Sequence, residues 1–165
     1  MKVYEISAQN RIVGVSGNWD HFALSNGGEA ALSAAIMGRP LWDFVAGLET
    51  RAYLNALFFA ARSAGRGVAV RYRCDSPAEP RLYQLQVHPI EEGGLRLSHV
   101  PLGPVPAPSP GGGALCSQCL RGRRNGAWQE SAPACSAPVD YQVCPQCRAE
   151  AQRAIASVLS GRSLH

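Results

Sequence analysis

The sequence is short of lysine, of long apolar runs and of like-charge blocks. Lys2 is the single lysine among 16 basic residues, and with 12 acidic residues the formal charge is +4. That excess comes from an arginine-, alanine- and glycine-rich composition without any polybasic arm, so it gives little support for a nucleic-acid partner. The first fourteen residues alternate polar and apolar side chains and lack the apolar core of about 7–15 residues that a secretory signal needs. The longest apolar run, Ala56 to Ala61, falls far short of the roughly 20 residues of a membrane span. A cytoplasmic chain with no membrane partner is expected. In a reducing compartment its six cysteines read as metal ligands, core residues or redox groups rather than as a disulfide framework. No phosphate loop, Ser/His/Asp set or clustered carboxylate pair stands in the sequence, and a protein that is not an enzyme is expected.

One segment divides the chain. Residues 101–113 hold five prolines and four glycines, which remove backbone donors and add entropy, so an extended or flexible linker is expected there. Residues 1–100 then form a globular part, and residues 114–165 a part that holds five of the six cysteines.

Within residues 1–100 the period of the apolar residues changes along the chain. Lys2 to Ser7 and Arg11 to Ser16 suit short strands. Glu29 to Met37 is alanine-rich and favours a helix, which Gly38-Arg39-Pro40 stops. Glu49 to Ser63 is the strongest helix candidate, because Leu54, Leu57, Phe58 and Ala61 recur at i, i+3, i+4 and i+7. The period then drops to two. Val68, Val70, Tyr72 and Cys74 share one face of a strand, and Ala69, Arg71 and Arg73 the other. Arg81 to Ile90 and Leu95 to Val100 follow as two more strands joined by a short loop, Glu91 to Gly94.

This order of strands, short helices, one longer helix and a three-strand meander resembles that of a PAS domain. Asn18-Trp19-Asp20-His21-Phe22-Ala23 is similar to the segment after the first PAS strand. Met37 to Val45, with its Gly38-Arg39-Pro40-Leu41-Trp42-Asp43 stretch, resembles the family's glycine-centred passage before the long helix. Tyr72-Arg73-Cys74-Asp75-Ser76-Pro77, with Arg81 after it, resembles a stretch found in a subset of bacterial PAS-like sensors. The resemblance covers residues 10–100. It implies an α+β fold, a PAS-like antiparallel five-stranded sheet with flanking helices, and a sensory or interaction module that receives a small-molecule ligand between sheet and helices. Trp42, Phe58, Tyr72, Cys74 and His99 are the candidate pocket residues. The alternatives for several of them stand beside this: Cys74 as a small buried hydrophobe, His99 as a satisfied core histidine, Trp42 as a core residue, and Asp75 with Arg81 as an ion pair closing a turn. The long helix has no histidine of the kind that haem PAS domains use, and the cysteine passage of photoactive flavin domains is missing.

Beyond residue 113 the spacing of cysteines carries the chemistry. Cys116-Ser-Gln-Cys119 and Cys144-Pro-Gln-Cys147 are two C-x2-C pairs separated by 24 residues. Two tight turns of this kind direct four thiolates at one ion, the tetrahedral shell that zinc prefers, and a shell closed by four protein ligands is structural. Trp128, Val139, Tyr141 and Val143 are the main apolar residues of this part, too few to form a core alone, so metal binding of about 10 kcal/mol or more would supply the missing stability. Cys135 stands alone, either a substitute ligand or a spare thiol. Thiol redox chemistry is the rival use of the same spacing. The segment also resembles a cysteine-rich piece attached to bacterial PAS-containing and two-component proteins, although Asp140-Tyr141-Gln142-Val143 replaces its usual sequence before the second pair. Arg121, Arg123 and Arg124 form either a solvated basic loop or a phosphate contact. A last helix from Arg148 to Leu159, with Ala151, Ile155, Val158 and Leu159 on one stripe, should pack on the PAS-like part or on a partner.

The expectation is thus a PAS-like sensor or adaptor followed by a small zinc-stabilised knuckle and a C-terminal helix, acting through a signalling partner or a second copy of itself. The alternatives are a zinc-dependent nucleic-acid-binding regulator and a thiol redox sensor. No kinase, cyclase or receiver segment is expected after Cys147, so output is expected to pass through binding.

Overall fold

The structure, a computed structural model, describes residues 2–16, 18–25, 27–74, 81–104, 110–111, 114–130, 132–133 and 139–161. Asp75, with the turn and ion pair expected of it, and Cys135 lie outside the described residues.

Five strands, β1 (Lys2–Ile6), β2 (Ile12–Val15), β3 (Val68–Arg73), β4 (Arg81–Pro89) and β5 (Leu95–Pro104), form one sheet in the order β2-β1-β5-β4-β3. Every neighbouring pair is antiparallel. Residues directly opposite across the ladder, such as Val70 with Leu85 and Val87 with Leu97, share a face. The long helix α3 (Leu48–Ala64) sets Leu57, Phe58 and Ala61 into the same buried cluster as that row. Two shorter helices, α1 (Trp19–Ser25) and α2 (Ser33–Ile36), lie between β2 and α3 in sequence. This is the α+β arrangement that the resemblance implies. Among the described residues no helix is long and apolar enough to cross a membrane.

Three local differences from the sequence reading have physical causes. The helix expected over Glu29 to Met37 is broken at Leu32, whose ψ of 147° is extended, into a 3-10 turn (Glu29–Ala31) and α2. Contacts from α1 fix that break. The Asp20 carboxylate accepts from Ser33 N–H at 2.6 Å and from Ser33 Oγ at 2.7 Å, and Trp19 Nε1 donates to the Ala31 carbonyl at 2.6 Å. Strand β5 continues beyond Val100 to Pro104, because β4 stays paired with it as far as Arg81 opposite Pro104, while β1 pairs with residues 95–99 and leaves the other side of β5 unpaired by it further on. A proline is tolerated where a strand has no neighbour to receive its missing N–H. Arg73, expected on the outer face, is 7% exposed, because the C-terminal part covers it.

That part contains β7 (Ala114–Cys116), β8 (Gly122–Arg124), β9 (Ala127–Gln129) and β11 (Asp140–Gln142), a small sheet in the order β11-β7-β8-β9, and the helix α4 (Pro145–Leu159). Two short segments, β6 (Pro110–Gly111) and β10 (Ala132–Pro133), pair in parallel as a separate two-stranded sheet. Helix α4 packs on α3 and on β3. It buries Ala151, Ala154 and Val158, while Leu159 of the expected stripe stays exposed. The same contact buries a second face of α3, with Thr50, Tyr53 and Ala60, beside the stripe that its period shows. One apolar cluster therefore runs from Ile6 and Leu97 through Phe58 to Cys116, Val143 and Val158.

Candidate metal centre

The two C-x2-C pairs reach the same point from two different local structures. Cys116 ends β7, and the following turn brings Cys119 back toward it, with Leu120 N–H donating to the Cys116 carbonyl at 2.9 Å and Leu120 at a φ of 57°. Cys144 is the N-cap of α4, Pro145 opens the helix, and Cys147 lies in its first turn. Proline suits that position because its missing N–H has no helical partner there. The positive end of the α4 dipole thus faces the sulfurs and favours thiolate over thiol.

All four sulfurs lie within 4.8 Å of one another. Cys119 Sγ and Cys144 Sγ are 3.7 Å apart. A backbone N–H group points at them: Cys144 N–H donates to Cys116 Sγ at 3.3 Å. Such a donor stabilises negative sulfur. Cys116 and Cys144 are fully buried, and Cys147 nearly so.

The crowding sets the proton affinities of Cys116, Cys119 and Cys147 apart. The neighbouring Cys119 and Cys147 thiols donate to Cys116 and hold it far below the ordinary thiol range. Their own protons are retained in turn, with Cys119 pushed up to about 12 by its bond to Cys116 and Cys147 raised further by its bonds to both. A divalent cation among the four sulfurs would take the place of those shared protons, and the donor set of four cysteines suits an ion that prefers sulfur.

Polar contacts tie this centre to the PAS-like part. Glu49, in the first turn of α3, accepts from Val143 N–H at 2.9 Å and pairs with Arg148 at 3.1 Å. On the edge strand β3, Arg73 N–H donates to the Gln118 carbonyl at 2.5 Å, and Arg71 N–H reaches Glu150 Oε1 at 3.4 Å. Gly47 lies so close to β11 that a Cβ there would stand 2.8 Å from the Tyr141 carbonyl oxygen, and its φ is +81°. Beside the sulfurs opens a cavity of about 490 Å³, with Cys119 and Cys147 on its wall.

The candidate pocket residues occupy the helix side of the sheet in separate groups. Trp42 and Phe58 stack with ring centroids 5.9 Å apart. Tyr72 Oη and His99 Nδ1 share a hydrogen bond of 2.5 Å, and Tyr4 stacks on His99 at 5.4 Å. Burial, with Lys2 nearby, lowers the His99 pKa to about 4. Cys74 stands half-buried just beyond β3, its N–H donating to the Arg81 carbonyl at 2.9 Å. Of these five residues, Tyr72 lines the 490 Å³ cavity. Arg123 and Arg124 are exposed on β8, whereas Arg121 pairs with Glu130 at 3.0 Å and donates to Gln146.

The sequence reading missed Glu49, Tyr53 and Arg73 as neighbours of the centre. Nothing local marks them, since each meets a partner distant along the chain. It also missed the β8–β9 hairpin, although Asn125-Gly126 is its signal; both residues have positive φ, 49° and 81°.

No protein-family model matches the chain, and no curated protein matches it. Among solved structures, the chain is similar to the PAS-B domain of Cycle from Drosophila melanogaster, solved with bound glycerol. Identity is 13%, the TM-score is 0.45, and the match covers 62% of this chain and 100% of that one. It is also similar to a domain of an HTR-like protein from Haloarcula marismortui, at 16% identity and a TM-score of 0.41, over 62% of this chain and 97% of that one.

Proposed function

We propose that this chain is a non-catalytic sensory or adaptor module. Its PAS-like part receives a small ligand or a protein partner, and the C-terminal part, built on one structural zinc ion held by Cys116, Cys119, Cys144 and Cys147, passes the change on to a signalling partner or a second copy. The observation that carries the reading is the seating of the four-cysteine centre against both the edge strand β3 and the first turn of α3. A shift in sheet or helix is felt at the centre through those bonds.

The four-sulfur set suits a single tetrahedral ion, and zinc is the one this reading assigns. A zinc–sulfur distance of about 2.3 Å gives tetrahedral edges of about 3.8 Å, close to the 3.7 Å between Cys119 and Cys144. Four thiolates fill the shell and leave no position for a substrate, which favours a structural over a hydrolytic ion.

Native mass spectrometry of the purified full chain tests the reading in one measurement of metal, small-molecule ligand and oligomer. One zinc per chain is expected, lost in Cys116→Ser and in Cys147→Ser and kept in Cys135→Ser. A metal-free chain with a reducible disulfide between these cysteines would sink the zinc assignment and favour thiol redox sensing.

A further inference from the structure

The cavity beside the sulfurs, at about 490 Å³, has the size of a small-molecule site. It lies away from the packed interior between sheet and long helix, where Leu57 and Phe58 are fully buried. Two stretches distant in sequence build it. Tyr72 and Arg73 come from the edge strand β3 and Leu82 from its neighbour β4, and Arg121, Glu130 and Gln146 come from the cysteine-bearing part.

One carboxylate organises its charge. Glu130 reaches two guanidiniums at once, Oε2 lying 3.5 Å from Arg73 Nη1 and Oε1 lying 3.0 Å from Arg121 Nε. The exposures of the three side chains decide which of them is fixed: Arg73 is 6% exposed and Arg121 31%, but Glu130 is 60%. The guanidiniums are held in the wall, whereas the carboxylate reaches them from solvent and can leave at small cost. Its contact with Arg73 is already long. Guanidinium groups match a carboxylate through planar, forked donors, so the pair is a seat for a carboxylate and Glu130 is its present occupant.

The rest of the wall sets the ligand's other properties. Leu82, directly opposite Arg73 across the β3–β4 ladder and so on the same face, offers apolar surface to the body of a ligand. Glu150 stands on the same wall, and its carboxylate limits the negative charge that the cavity accepts to the single charge that Glu130 brings. We propose that this cavity binds a small organic monocarboxylate with an apolar body, whose carboxylate displaces Glu130 from between Arg73 and Arg121. Arg73 belongs to β3 and Arg121 to the cysteine-bearing part, so an occupant ties the two together. The inference deepens the sensory reading by naming a ligand class, but occupancy is read independently of metal content.

The test uses the full zinc-loaded chain, with 1-naphthoate as the probe and 1-naphthyl phosphate as its dianionic counterpart, both followed by titration calorimetry and ligand-observed NMR. Saturable naphthoate binding is expected. Glu130→Gln should tighten it by about fivefold and Arg121→Gln weaken it by about tenfold, the size of one charge-assisted hydrogen bond, with metal content unchanged in each variant. The phosphate should bind more weakly than the carboxylate. The proposal is overturned by no saturable naphthoate binding in Glu130→Gln up to about 10 mM, by equal affinity in the two variants at full metal content, or by tighter binding of the phosphate.

Discussion

On the proposed zinc reading, removing the metal should release the cysteine-bearing part from the edge of the sheet, and the Arg73 amide is where that release is read. The magnitudes decide this. Leu115, Val143 and Val158 are each at least nine-tenths buried, and full burial of such side chains contributes about 1.5–3 kcal/mol each, or about 5–9 kcal/mol together. A structural zinc ion contributes about 10–16 kcal/mol in small four-ligand sites. The larger contribution comes from the ion, so chelation should melt this part while the cluster around Ile6, Phe58 and Leu97, all fully buried, persists.

Along β3 the backbone groups of alternate residues point to opposite sides. Those of Arg71 and Arg73 turn away from β4 and meet Glu150 and Gln118. After chelation under reducing conditions, amide exchange at Arg71 and Arg73 should accelerate by about 100-fold, the loss of roughly 3 kcal/mol of local stability. The amides of Val87 and Leu97, in the interior of the sheet, should keep their protection. Unchanged protection at Arg73 with metal loss confirmed would refute the reasoning, and so would an equal loss at Val87 and Leu97, which would make the chain one cooperative unit.

Three other outcomes are expected. His99 is held near a pKa of about 4 in the folded chain against 6.5 when free, so between these values only the unfolded chain takes up the proton. Its contribution is complete above pH 6.5 and is lost as pH falls through that window, and the wild type should lose on the order of 3 kcal/mol more than His99→Gln between pH 7 and pH 4 in denaturant titrations. Phe58→Ala removes a fully buried ring stacked on Trp42 and should cost about 3–5 kcal/mol by the same assay. Gly47→Ala, at a φ of +81° and against the Tyr141 carbonyl, should cost about 1–3 kcal/mol and speed metal loss to a competing chelator.

The elements that read well from the sequence are those whose partners repeat at a fixed local period. Leu54, Leu57, Phe58 and Ala61 locate α3, the alternation of Val68 and Val70 locates β3, and two C-x2-C spacings locate the sulfurs that the fold brings within 4.8 Å. What stayed hidden is set by contacts between distant segments. Tyr53 and Ala60 extend the apolar face of α3 beyond the stripe at Leu54, Leu57, Phe58 and Ala61, and nothing in the sequence says that α4 is what packs on α3. Leu32 is a good helix former by type, yet its backbone is extended because Asp20 restarts the helix one residue later at Ser33.

Arg73 shows why the joint between the two parts is the hardest feature to read and the one most worth perturbing. By strand parity it belongs on a polar face, and an arginine there is ordinarily solvated. An edge strand, however, leaves outward-facing backbone groups that invite pairing with another chain. Here the turn after Cys116 supplies the Gln118 carbonyl to one of them, and Glu150 of α4 approaches the next. The groups that cap the edge are therefore positioned by the two cysteine pairs, one on the turn and one at the start of the helix. The metal centre and the sheet edge are then a single structural device. On the proposed zinc reading, loss of the ion should expose at one step the backbone edge of β3, the buried guanidinium of Arg73 and the apolar face of α3 around Tyr53, and so couple metal occupancy to the surface that the PAS-like part presents.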